Sequence, residues 1–93
     1  MRHTHEEKSV IRQAVQRADA NADTYLFGSR VDDQALGGDI DVLVLSQRID
    51  MLVKLDILAQ LHQALGDRKI DLVVLKDASQ PFAQLAIQQG IRL

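Results

Sequence analysis

Two aspartates one residue apart, Asp39 and Asp41, open the apolar run Ile40-Asp41-Val42-Leu43-Val44-Leu45, and nine residues separate them from the pair Gly28-Ser29. Side chains alternate along a strand, so both carboxylates project from one face, side by side where a hydrophobic strand begins. Such a pair repels itself unless a cation lies between. Hard divalent ions, Mg²⁺ above all, take carboxylate oxygens and keep their other positions for water and substrate phosphates. A third acid, Asp71, opens the similar run Ile70-Asp71-Leu72-Val73-Val74-Leu75. The pattern points to metal-assisted phosphoryl or nucleotidyl transfer.

Each group has a reading within that chemistry. Gly28 lets backbone approach a phosphate closely, and Ser29 adds a hydroxyl beside the amides of its turn, so the two can hold the β- and γ-phosphates of a nucleoside triphosphate. Arg30 offers a planar donor fork for a phosphate oxygen, or else bridges on the surface to Asp32 or Asp33. Asp39 and Asp41 would hold one or two Mg²⁺ ions, and Asp71 would complete the second metal position, where an acceptor hydroxyl loses its proton. The competing reading of Asp71 is a structural ion pair with the nearby Asp67-Arg68-Lys69 segment.

The elements that must position these groups follow from periodicity and stop signals. Thr4-His5-Glu6-Glu7 reads as a capping box, and Val10, Ile11, Ala14, Val15 and Ala18 recur at helical spacing, predicting a helix from about Thr4 to Asp19. Thr24-Tyr25-Leu26-Phe27 is a first strand stopped by Gly28, and Ile40 to Leu45 a second, apolar enough to be buried on both faces. From Ile49 to Leu65 a helix is expected, with Met51, Leu55, Leu58 and Leu65 on its main apolar face and Gly66 at its end. Val53, Ile57 and Leu61 form a second apolar row that either widens the core contact or docks a partner or second copy. His62, between Leu58 and Leu65, is expected to be a packed or edge histidine. A third strand spans Arg68 to Leu75. Ser79 then caps a helix with Pro81 in its first turn, and Gly90 closes it before Ile91-Arg92-Leu93, where a short terminal strand can form.

The order is α-β-β-α-β-α, an α/β (α+β) arrangement with a small mixed sheet, read as one domain over residues 1–93. A helical crossover between the second and third strands makes them parallel, so both begin at the same end of the sheet, and an antiparallel first strand brings Gly28 and Ser29 there too. One end of the sheet then collects the Gly-Ser turn and the three carboxylates.

Composition narrows the partners. The chain has a net charge of −2, no cysteine and three aromatics, Tyr25, Phe27 and Phe82. That gives neither the basic surface nor the stacking platform of a free-standing nucleic-acid binder, so no direct nucleic-acid contact is expected. Disulfides and thiolate zinc sites are excluded. No apolar stretch approaches the ~20 residues of a membrane span, and a cytoplasmic protein is expected.

Gly28-Ser29-Arg30, Gly38-Asp39-Ile40-Asp41 and Ile70-Asp71-Leu72-Val73 together resemble, in order and spacing, the signature of the minimal nucleotidyltransferases of the polymerase-beta-like nucleotidyltransferase fold. The resemblance covers essentially the whole chain. It implies Mg²⁺, a nucleoside triphosphate with ATP favoured, and transfer of a nucleoside monophosphate to an acceptor hydroxyl. Catalytic and metal-ligating roles fall to Asp39, Asp41 and Asp71, and nucleotide binding to Gly28, Ser29, Arg30 and Gly38. Many such proteins are similar to antitoxins paired with an all-helical HEPN ribonuclease, and adenylylation of a tyrosine on that toxin is the implied form of the reaction. An inactive antitoxin that neutralises its partner by binding is the alternative. So small a chain presents little surface for an acceptor, which calls for a partner chain or a homodimer neighbour to complete the site. After the serine this loop reads Arg30-Val31-Asp32-Asp33 where the family commonly has Arg-Ala-x-Gly, and Gly38 stands at a frequent serine position; the three acids are intact.

Overall fold

The two apolar runs beginning Ile-Asp are too uniformly hydrophobic for either face to meet water, so each must lie inside a sheet covered by helices. A computed structural model describes residues 5–27, 40–66 and 69–93 of the chain. Its elements are α1 (His5–Ala18), β1 (Asp23–Phe27), β2 (Ile40–Leu45), α2 (Met51–Leu65), β3 (Ile70–Leu75), α3 (Pro81–Gln89) and β4 (Ile91–Arg92). The sheet order is β3-β2-β1-β4. β2 and β3 are parallel, while β1 runs antiparallel to both β2 and β4. The expected mixed sheet and element order hold, and the terminal strand is real: Leu93 N–H donates to Thr24 O at 2.9 Å beyond it.

The sheet has a layer of helix on each face. Ile40, Val42 and Val44 of β2, with Leu26, Ile70 and Leu72, point towards α1 and α2, where Ile11, Val15, Ile57 and Leu61 complete one core. Leu43, Leu45, Val73 and Leu75 point the other way and meet Ala83, Ala86 and Ile87 of α3. Val42, Leu43 and Val44 are successive residues with no exposure, the two-sided burial expected of β2.

The rotation of α2 differs from the expectation. Val53, Ile57 and Leu61, the row expected as secondary, face the sheet, with Ile57 and Leu61 buried. Of the expected main apolar face, Leu58 and Leu65 do pack against this core, whereas Met51 and Leu55 are 64% and 52% exposed, and Leu52 is 77% exposed. Apolar residues lie almost all round this helix, so periodicity alone does not choose the buried side; packing against the parallel strands and α1 does. His62 is correspondingly exposed, its Nδ1 3.3 Å from Gly66 O in the last turn.

The helix ends also refine the sequence reading. Asp50 is the N-cap of α2 and accepts from Val53 N–H at 2.9 Å, which leaves Ile49 free to enter the core. Gly66 closes the helix at φ +86°, a conformation that favours glycine, and donates to His62 O. Ser79 does not cap α3. Gln80 occupies that position without a side-chain bond, and Ser79 N–H instead donates to Asp77 Oδ1 at 3.0 Å. At Gly90 a Cβ would collide with the carbonyl oxygens of Leu26 and Ala86, so glycine is what lets the chain turn from α3 into β4. The capping box falls on Thr4, outside the described residues, as does Arg68 at the expected start of β3.

One buried polar cluster ties α1 to the start of the crossover. Ser46 Oγ donates to Asp19 Oδ2 at 2.6 Å and accepts from the N–H groups of Arg48 and Ile49 at 3.0 and 3.1 Å, while Asp19 Oδ1 accepts from Asn21 N–H. Asp19 and Ser46 are both buried, and this bonding satisfies them. The Ser46 hydroxyl, followed by the Asn21 amide and the Arg48 charge, holds the Asp19 carboxyl below the usual carboxylate range against the opposing effect of burial.

Two outcomes follow from this packing. Ile57→Ala is expected to cost about 2–5 kcal/mol by leaving a core cavity, whereas Leu52→Ser should change stability by no more than about 0.5 kcal/mol, both read by urea unfolding. Because the folded pKa of Asp19 is depressed, its charge stabilises the fold above the unfolded value of about 3.9, and that contribution disappears as the pH falls through the lower folded value. The stability difference between wild type and Asp19→Asn should therefore be constant near neutrality and shrink in acid.

Candidate functional site

β2 and β3 carry the same pattern, an isoleucine, an aspartate and then aliphatic residues, and they pair in that pattern. Ile40 lies beside Ile70, Asp41 beside Asp71 and Val42 beside Leu72. Register partners in a sheet point the same way, so the Asp41 and Asp71 side chains share a face on neighbouring strands about 4.8 Å apart. At such spacing two carboxylates repel by roughly 1 kcal/mol where water screens them and by several where it does not.

The face is the one that carries α3. Leu43, Leu45, Val73 and Leu75 further along the two strands pack in the core on that side. Asp41 and Asp71, at the amino ends, are half-buried and exposed respectively. Asp71 has no ion pair with another described residue, and Lys69 makes none with it. On the other side of Asp41 its antiparallel register partner is Phe27, the last residue of β1.

Gly28, Ser29, Arg30, Gly38 and Asp39 lie outside the described residues. The two residues that flank this segment, Phe27 and Ile40, are both at the end of the sheet that carries Asp41 and Asp71. Among the described residues no group of three or more His, Cys, Asp or Glu comes together. The described donors are carboxylate oxygens alone, which suits a hard ion such as Mg²⁺ and not a thiolate- or imidazole-seeking one.

The chain matches the family described as Polymerase beta, Nucleotidyltransferase over residues 9–93. It belongs to that nucleotidyltransferase family. The family's fold is also found by structure: a chain in the crystal structure of a mutant of the toxin–antitoxin MntA-HpeT is similar to this one at 30% sequence identity and a TM-score of 0.67, over 97% of this chain and 71% of that one. Among curated proteins no match is found. The resemblance to the minimal nucleotidyltransferases is thus supported by sequence and by fold.

The opposite end of the sheet offers a different surface. A depression of about 460 Å³ lies beyond the carboxyl ends of β2 and β3, lined by Ser46, Gln47, Arg48, Lys76 and Asp77. Open α/β sheets usually bind ligands at that end, and a receiver-type phosphoacceptor would gather its acids there. Asp41 and Asp71 stand at the other end, and Asp77 is engaged in the turn with Ser79. A second depression of about 300 Å³, between α1 and β4, is lined by Lys8, Arg12 and Arg92 among others. Neither contains Asp41 or Asp71. No described helix is long and apolar enough to cross a membrane.

If the acidic end holds Mg²⁺, millimolar Mg²⁺ should raise the melting temperature of the wild type, because a ligand of the folded state alone stabilises it. Asp71→Asn should melt no lower than wild type in EDTA and gain less from Mg²⁺, as read by scanning fluorimetry. A wild-type melting temperature indifferent to Mg²⁺ would count against the assignment.

Proposed function

We propose that this protein is a Mg²⁺-dependent nucleotidyltransferase that moves a nucleoside monophosphate, AMP from ATP by preference, onto an acceptor hydroxyl. The observation that carries the proposal is the in-register pair Asp41 and Asp71 at the amino ends of two parallel strands in a chain of this family. Asp39, Asp41 and Asp71 are the proposed ligands of one or two ions. Gly28, Ser29 and Gly38 would cradle the triphosphate with their backbone, and Arg30 would brace a phosphate oxygen.

In the proposed reaction an acceptor oxygen forms a bond to the α-phosphorus, the bond to the β-phosphate oxygen breaks, and pyrophosphate leaves. Bound Mg²⁺ supplies charge neutralisation for the triphosphate and the departing pyrophosphate. Asp71 is exposed at the start of the edge strand β3; an acceptor would approach from that side, and its hydroxyl proton would pass to the Asp71 carboxylate or to water. Gly28 and Ser29, which follow β1 directly in sequence, would contact the triphosphate.

The acceptor we favour is a tyrosine of a HEPN-type helical toxin, with this chain as its cytoplasmic antitoxin. The similarity to a chain of a toxin–antitoxin structure supports that reading. The exposed apolar residues Met51, Leu52 and Leu55 favour a second one, in which the antitoxin neutralises its partner by binding alone.

Incubation with α-³²P-ATP, Mg²⁺ and the HEPN partner separates the two. Label on the partner is expected with wild type and is abolished in Asp41→Ala, with circular dichroism unchanged between them. A stable complex that never acquires label would instead support neutralisation by binding.

A further inference from the structure

All three aromatic residues of the chain lie on the α3 side of the sheet. Tyr25 and Phe27 alternate onto that face of β1, and Phe82 meets Phe27 from the first turn of α3. Phe27 and Phe82 form an edge-to-face pair, with ring centroids 5.3 Å apart and ring planes at 83°. Phe27 is also the cross-strand partner of Asp41, a relation that brings Cβ atoms to about 4.5–5.5 Å. The aromatic pair therefore adjoins the acidic end of the sheet on its β1 side, the side on which Gly28 and Ser29 follow in sequence. Asp71 and the edge strand lie on the other side of Asp41.

Phe27 can cover at most one face of the Phe82 ring, and Phe82 remains 42% exposed. A partly exposed aromatic ring, backed by a packed neighbour that is itself the register partner of Asp41, is suited to stack a planar ring whose phosphates reach a cation held at the acidic end. Given the proposed nucleotidyl transfer, on which this inference rests, we propose that Phe82, backed by Phe27, is the stacking platform for the base of the nucleoside triphosphate. The base fits this place better than an acceptor ring does, because the pair lies on the β1 side of Asp41, where Gly28 and Ser29, the proposed triphosphate contacts, follow in sequence, and away from the edge strand that carries Asp71. Stacking uses a π-face that every base has, so Phe82 would contribute affinity without selecting among bases.

Binding measurements on the full chain with Mg·ATP and with Mg·tripolyphosphate, which lacks a base, test this by calorimetry. Phe82→Leu keeps the apolar contact with Phe27 and should weaken ATP binding by about tenfold while leaving tripolyphosphate binding unchanged; Phe82→Tyr should restore ATP affinity. The chain has no tryptophan, so Phe82→Trp provides a single tryptophan at the site, excited selectively at wavelengths where Tyr25 does not absorb. Its emission should be quenched by Mg·ATP and not by Mg·tripolyphosphate. Equal weakening of both ligands in Phe82→Leu, or ATP binding without any fluorescence change in Phe82→Trp, would overturn the platform and leave nucleotidyl transfer standing. Failure of the wild type to bind Mg·ATP at all would overturn both.

Discussion

The in-register parallel pairing of β2 with β3 is the constraint on which the rest of the molecule depends. From Ile40 beside Ile70 to Leu45 beside Leu75, six residue pairs match apolar to apolar and acid to acid. The flanks fix it further, since Ile40 N–H donates to Lys69 O at one end and Ser46 N–H to Leu75 O at the other. A slip of one residue would turn Ile70 and Leu72 away from α1 and α2 and carry Asp71 to the opposite face from Asp41. Core packing and the juxtaposition of the two acids are therefore one and the same register.

The two ends of this pair of strands do different work. At the carboxyl ends the Asp19 and Ser46 cluster satisfies its polar groups internally and anchors the turn into α2. At the amino ends, Asp41 and Asp71 are set next to each other on a face that α3 covers only further along. Like charges on neighbouring strands repel, and the cation proposed for this end would offset that repulsion. The aromatic residues collected on the same face give the acidic end an apolar flank.

α2 shows how a short chain can meet two demands with one helix. Its row of Val53, Ile57 and Leu61 serves the core, yet Met51, Leu52 and Leu55 leave its outer face apolar as well. A helix that only shielded the sheet would carry charged residues there.

The sequence by itself determined the order of elements, the parallel crossover and the identity of the acids, because alternation, stop signals and the paired Ile-Asp runs are local or nearly local patterns. Asp41 and Asp71 were legible as neighbours for that reason. Nothing local distinguishes the two apolar rows of α2, so only packing against the sheet and α1 chose Val53, Ile57 and Leu61 over Met51 and Leu55 and left His62 exposed. The Asp19–Ser46 bond spans 27 positions and the Phe27–Phe82 pair joins a strand to a helix far along the chain, with no spacing rule to announce either. Periodicity specifies which residues can share a face; which face meets which partner is decided by how the elements pack in three dimensions.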